Sequence, residues 1–196
     1  MSEILLLDNF DSFVYNLVDQ LKNSLHKVVI YRNNVSIKKI ITKISHMKKP
    51  ILMLSPGPGI PENSGCMMEI ISIFHGKIPI VGICLGYQAI IKFYGGKISP
   101  VKKIIHGKSS LIKHDRKHMF KNIQNPIHVA RYHSLICKNI PKIFTINSKK
   151  NKIVMSIRNN NLRICGFQFH PESILTTEGQ KIMDNTITWL NKKNIK

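Results

Sequence analysis

The sequence predicts an α/β domain, a parallel sheet flanked by helices, with a β-rich second half. Three observations carry that expectation. Short apolar runs recur over residues 1–94 and alternate with longer amphipathic stretches, the pattern of strand–helix units. One of these runs passes through a glycine-flanked cysteine straight into a helical stretch. Beyond Gly95 and Gly96 the segments become shorter and β-rich, with polar turns between them.

Taken in order, Ile4 to Leu7 is a short apolar run bounded by Asp8 and Asn9, a buried strand that ends in a loop. Phe13, Leu17 and Leu21 then recur at helical spacing, so a helix is expected over residues 12–24 with Ser12 as its cap. Val28 to Tyr31 reads as the second strand and Ile37 to Ile44 as an amphipathic helix. Pro50 opens a third strand, ILMLS, which stops at Pro56. After the loop PGPGIPENSG come a helix from Cys66 to Phe74 and a fourth strand from Ile78 to Ile83. That strand runs into Cys84 and a helix through Tyr94, which Gly95 and Gly96 terminate. From Lys97 to Ile164 antiparallel strands or hairpins are expected, inserted before a C-terminal return, with a turn at the Asn159 to Asn161 cluster. ICGFQFHPES reads as one more strand ending at the His-Pro-Glu, and Gly179 to Asn191 as a closing helix.

A chain of 196 residues suits one well-buried domain over 1–196. Its hydrophobic fraction of 43% contains no apolar run near the ~20 residues that span a bilayer, so no membrane partner is expected. The start, MSEILLLDNF, sets Glu3 and Asp8 around a brief apolar run, unlike a secretory signal, and a cytoplasmic protein is expected. The cysteines at 66, 84, 137 and 165 have no CxxC pairing and no histidine at metal-ligand spacing, which argues for reduced thiols and for neither metal nor cofactor. The net charge of +20 raises the question of a nucleic acid. The lysines are spread over the whole chain, arginine stands only at 32, 116, 131, 158 and 163, and Ile and Asn are equally enriched. That joint enrichment is the mark of codon drift in an AT-rich genome, so no nucleic-acid partner is expected.

In IPIVGICLGYQA, Gly82 and Gly86 flank Cys84 where a strand meets a helix. Glycine there permits the tight turn of a nucleophile elbow, and a sulfur at a helix N-terminus is favoured as thiolate. A buried cysteine in a glycine-rich turn would carry the same pattern. A thiolate needs an acid/base partner. His170 follows an apolar strand and has Glu172 two residues on, so in an extended segment both side chains project to one side. His133, in ARYHSL, is the competing base. The loop SPGPG, Ser55 to Gly59, follows a strand and falls on the same sheet edge as Cys84, where fixed backbone amides suit an oxyanion hole. A phosphate loop would need a Lys-Ser/Thr that the segment lacks; a plain tight turn is the remaining alternative.

Together, SPGPG, GICLGYQ, RYHSL and FQFHPES, in this order, resemble the class I glutamine amidotransferases, and the likeness runs from LLLDNFDSFVYNL through HGKSS to HPESILTTEG. The resemblance implies an open, mainly parallel twisted sheet flanked by helices, of the flavodoxin-like kind. It implies Cys84 as nucleophile, His170 as acid/base and Glu172 as its orienting partner. It also implies a glutamine and oxyanion site at Gly57, Pro58, Gly59, Leu85, Gln88, Ser134 and Leu135. DNFDSF, HGK and HPESIL are shared with the branch serving chorismate-using synthases, more closely the anthranilate type than the aminodeoxychorismate type. The implied reaction hydrolyses L-glutamine through a thioester and passes ammonia to a chorismate-binding large subunit, with DNFDSF and HGKSS as contact loops. Tyr87 departs from the family pattern and is expected to alter pocket packing without replacing a triad member.

Overall fold

The computed structural model describes residues 1–101 and 107–192. The first half contains β1 (Glu3–Asp8), α1 (Val14–Asn23), β2 (Lys27–Arg32), α2 (Ile37–Ser45), β3 (Pro50–Leu54), α3 (Met67–Phe74), β4 (Ile80–Ile83) and α4 (Leu85–Phe93). The second half contains β5 (Lys97–Pro100), β6 (Lys108–His114), β7 (Ile127–Arg131), β8 (Leu135–Lys138), β9 (Thr145–Lys150), β10 (Ile153–Asn159), β11 (Ile164–Phe167) and α5 (Gly179–Leu190). One sheet runs β2-β1-β3-β4-β11-β10-β9-β6-β7. The pairs from β2 to β11 are parallel and those from β11 to β7 antiparallel. β5 and β8 form a separate antiparallel ribbon.

The strand alternation sets the layers. Ile4 and Leu6 enter one hydrophobic cluster with Val14, Leu17 and Leu21 of α1 and Ile182, Met183 and Ile187 of α5. Leu5 and Leu7 point the other way, into a cluster with Ile40 and Ile44 of α2, Ile70 of α3 and Ile90 of α4. The side chains of Ile4, Leu5, Leu6 and Leu7 are fully buried. Each such burial stabilises the fold by about 1.5–3 kcal/mol before ordering costs. No helix among the described residues is long and apolar enough to cross a membrane.

The parallel half follows the sequence closely, with three corrections. Helix α1 begins at Val14, not Ser12, and Ser12 does not cap it; the Asp11 carboxylate accepts the Phe13 N–H at 3.2 Å and Asp8 accepts the Asp11 N–H at 3.1 Å. Phe13 therefore precedes the helical rotation and stands 60% exposed, while Val14, Leu17, Val18 and Leu21 form the buried face. Strand β4 starts after Pro79, which has no N–H to give a ladder. Strand β11 ends at Phe167, so His170 lies beyond it, at an isolated antiparallel bridge to Ala130. The expected turn at Asn159 forms, its side chain accepting the Leu162 N–H at 2.8 Å. His106 of HGKSS lies outside the described residues.

Candidate active site

The strand order reverses between β1 and β3, the position at which open α/β sheets bind ligands, and β4 lies next to β3 on the same edge. Three loops are tied together there by Asn9. Its backbone N–H donates to Ser55 Oγ at 2.8 Å, its side-chain amide to the Ser55 carbonyl at 2.9 Å, and its Oδ1 accepts from Asn33 at 3.1 Å. Asn9 is thus buried, and its side chain is committed to the scaffold. Gly57 packs onto this bracket so closely that a Cβ would sit 2.4 Å from the Asn9 carbonyl oxygen.

Cys84 joins β4 to α4 with φ 50° and ψ −98°, a conformation held by its surroundings. Its N–H donates to the Phe167 carbonyl at 2.7 Å and its carbonyl accepts the Gln88 N–H at 3.0 Å. The flanking glycines are sterically required: a Cβ on Gly82 would lie 2.4 Å from the Gly86 backbone, and one on Gly86 2.4 Å from the Leu54 carbonyl oxygen.

His170 is fixed through its backbone. Its N–H donates to the Ala130 carbonyl at 3.1 Å, and its own carbonyl accepts from Thr176 Oγ1 at 2.6 Å. Thr176 Oγ1 accepts the Ala130 N–H at 3.0 Å, which closes the clamp. The ring stands edge-on to Tyr132, with centroids 5.0 Å apart. Nδ1 meets Glu172 Oε1 at 2.6 Å, and the glutamate side chain is 2% exposed. Glu172 reaches Nδ1 from a turn, in which the Ser173 N–H bonds back to the His170 carbonyl, and not from the extended segment expected. Nε2 has no hydrogen-bond partner among the described residues. Burial alone would push the imidazole pKa down; the charges of a Cys84 thiolate and of Glu172 outweigh it and hold the imidazole well above its ordinary value. A charged imidazolium at His170 is the state this arrangement favours.

A cavity of about 380 Å³ is lined by Cys84, His170, Glu172, Gly57 and Pro58, together with Phe10, Asp11, Ser12, Phe13, Asn16, Pro56, Tyr132, Ser173 and Ile174. Burial, and then the nearby Glu172 charge, raise the pKa of Asp11. Gly59, Leu85, Gln88, Ser134 and Leu135 do not line this cavity. Gly59 sits at φ 81° in an exposed turn, and Leu85 is the first residue of α4. Gln88 and Leu135 meet behind the elbow, where the Gln88 amide donates to the Leu135 carbonyl at 3.4 Å. The Ser134 carbonyl accepts the Val101 N–H at 2.8 Å. Tyr87 is fully buried, with its hydroxyl directed at the Val154 carbonyl at 3.4 Å, so it packs in the core and not in the cavity wall.

His133 has both ring nitrogens engaged. Arg131 Nε donates to Nε2 at 3.0 Å and Nδ1 donates to the Leu135 carbonyl at 2.9 Å. Burial, reinforced by the Arg131 charge, lowers its pKa from 6.5 to about 4, so it stays neutral where most proteins work. The sequence did not point to Tyr132, Thr176 or Asn9 as parts of the site. Their roles depend on contacts with segments 24 to 46 residues away. Phe10 did leave a trace, an aromatic residue in a polar strand-to-helix turn, whereas Phe13 was hidden by its helical spacing with Leu17 and Leu21.

The sequence profile of Glutamine amidotransferase class-I matches residues 5–189. Anthranilate synthase component 2 of Buchnera aphidicola subsp. Acyrthosiphon pisum (strain APS) is 56% identical, covering 100% of this chain and 98% of the relative. Aminodeoxychorismate/anthranilate synthase component 2 of Bacillus subtilis (strain 168) is 44% identical, covering 98% of this chain and 99% of the relative. The crystal structure of a glutamine amidotransferase from Thermotoga maritima superposes with TM-score 0.77 at 13% identity, over 97% of this chain and 99% of that one, a likeness of fold. The elbow, the His-Glu pair and a profile match over nearly the whole chain lead to one conclusion: this chain belongs to the class I glutamine amidotransferases.

Proposed function

We propose that the chain is the glutaminase subunit of an anthranilate synthase, hydrolysing L-glutamine and supplying ammonia to a chorismate-binding large subunit in the cytoplasm. The observation that carries this reading is one cavity holding the strained Cys84 elbow against the His170–Glu172 pair. The Cys84 thiolate attacks the carboxamide carbon of glutamine. The His170 imidazolium gives its proton to the departing amine, so ammonia leaves and a γ-glutamyl thioester remains. A water then attacks the thioester while His170 takes its proton, and glutamate and the thiolate are released. Glu172 holds the tautomer with the proton on Nδ1 and stabilises the charged ring. The amides of Gly57 and Leu85 are the proposed oxyanion donors, with Pro58 and Gly59 shaping the loop. The proposed glutamine-holding roles of Gln88, Ser134 and Leu135 place the backbone end of the substrate beyond the cavity wall that these residues lie behind.

The identity of 56% to an anthranilate synthase component 2 supports the assignment to that synthase. The Bacillus subtilis relative, whose name covers both synthases, supports a second reading, in which the chain also serves aminodeoxychorismate synthesis. A partner is further supported by the cavity mouth, where Phe10 and Phe13 stand 48% and 60% exposed and Ile174 96% exposed. Apolar groups clustered at an active-site mouth suit a covering protein surface. A glutamine analogue bearing an electrophile tests the chemistry. Peptide mass spectrometry is expected to find it on Cys84 ahead of Cys66, Cys137 and Cys165; preferential modification of another thiol would refute the nucleophile assignment.

A further inference from the structure

Gln168 sits one residue beyond β11, fully buried, with its backbone N–H bonded to the Met155 carbonyl at 2.8 Å. Its side-chain amide nitrogen lies 3.7 Å from Cys84 Sγ, within the range of an N–H···S hydrogen bond. Its oxygen accepts from the Gln88 amide at 3.4 Å, and the same Gln88 nitrogen also faces the Leu135 carbonyl at 3.4 Å. The direction of this chain is fixed at its far end. The Leu135 carbonyl can only accept, so Gln88 must present its NH2 group to it; that group then faces Gln168, which must answer with oxygen. The NH2 of Gln168 is left for the sulfur.

We infer that Gln168 is a positioning residue for the glutaminase reaction, donating a hydrogen bond to the Cys84 thiolate from outside the open cavity. Gln168 does not line that cavity, whereas His170 does, so the two groups meet the sulfur from different surroundings. Gln168 transfers no proton. It holds the thiolate's orientation before attack, and it stabilises the same thiolate when water displaces it from the thioester. Through Gln88 it also links the sulfur to Leu135, at the start of β8, so movement there can be felt at the nucleophile. This inference rests on the reading of Cys84 as nucleophile.

The test compares the full-length chain with Gln168→Met, which keeps the volume and removes the donor, and with Gln168→Glu, which keeps the shape and replaces the donor by an acceptor. Iodoacetamide modification of Cys84 is followed by peptide mass spectrometry from about pH 6 to about pH 10. Loss of a donor to a charged sulfur is expected to slow modification on the order of tenfold near pH 7. The rates should converge near pH 10, where the thiol is ionised with or without help. A purely structural defect would not vanish at high pH. In the partner complex, kcat is expected to fall about tenfold while KM changes little. Profiles that coincide with wild type at every pH, or that run parallel without converging, would overturn the inference; should the Met variant not fold, the Glu variant decides on the same criterion. If the glutamine analogue fails to modify Cys84 in the wild-type chain, the functional reading fails instead, so the two failures are distinguishable.

Discussion

At the scale of single residues, the two histidines separate cleanly. His170 has one nitrogen on Glu172 and the other without a hydrogen-bond partner among the described residues, whereas both nitrogens of His133 are bonded within the scaffold. His170→Ala is expected to lower kcat on the order of 100-fold, the contribution of a positioned acid/base, as measured by steady-state glutamate release. His133→Gln should cost far less in kcat; a larger loss there would reverse the assignment. His133 also predicts an acid sensitivity. Its folded pKa of about 4 lies below the ordinary 6.5, so the unfolded chain binds that proton more readily. Stability is therefore complete above about pH 6.5 and falls towards pH 4, by roughly 3 kcal/mol from this group. Urea midpoints near pH 7.5 and pH 5 should differ more in wild type than in His133→Gln; an equal difference would refute the buried neutral state. Cys84, His170 and Glu172 were legible because chemistry-bearing residues beside glycine or proline leave a local pattern. Gln168 was not, because its contact with sulfur arises only when the end of β11 packs beside the elbow, 84 residues away in sequence.

At the scale of elements, the elbow between β4 and α4 is the part most tightly specified. Gly86→Ala would drive a Cβ to 2.4 Å from the Leu54 carbonyl oxygen, and since both atoms belong to backbone, β3 or α4 must shift. Such overpacking is expected to cost about 1–3 kcal/mol or more, visible as a lowered urea midpoint, with glutaminase activity lost in the same variant. An unchanged midpoint would show that the elbow tolerates a side chain there. The strands and helices of the first half were legible because their apolar periods are undisturbed by function. Errors gathered at the ends: Phe13 shares the helical spacing yet lies before the helix, and FQFHPES leaves strand geometry after Phe167 because the His170 backbone pairs with Ala130 and Thr176. Proximity of Glu172 to His170 was anticipated, but a turn produces it and not an extended strand.

At the scale of the molecule, the parallel order β2-β1-β3-β4-β11 is the flavodoxin-like arrangement, with the fifth strand postponed until after the inserted antiparallel segments. The β-rich composition of that insertion was legible; its continuation of the same sheet past β11 was not, because strand pairing between distant segments leaves no local signal. The diffuse net charge of +20 is expected to give only weak polyanion binding, near the ~10⁻⁴ to 10⁻⁶ M of non-specific contacts at ~150 mM salt. Submicromolar DNA or RNA binding in a titration at that salt would contradict this. The exposed mouth residues bear on assembly: Phe13→Ser should weaken large-subunit binding by about tenfold or more, read by titration calorimetry, while leaving the fold stable, since Phe13 is 60% exposed. Asn9 cannot serve as that contact, being buried and fully bonded to Ser55 and Asn33. The glutaminase role of Cys84 is tested most directly by Cys84→Ser in the reconstituted complex with a chorismate-binding large subunit. Product formation from glutamine should vanish while formation from added ammonia continues at the wild-type rate; sustained glutamine-dependent synthesis in that variant would contradict Cys84 as the nucleophile.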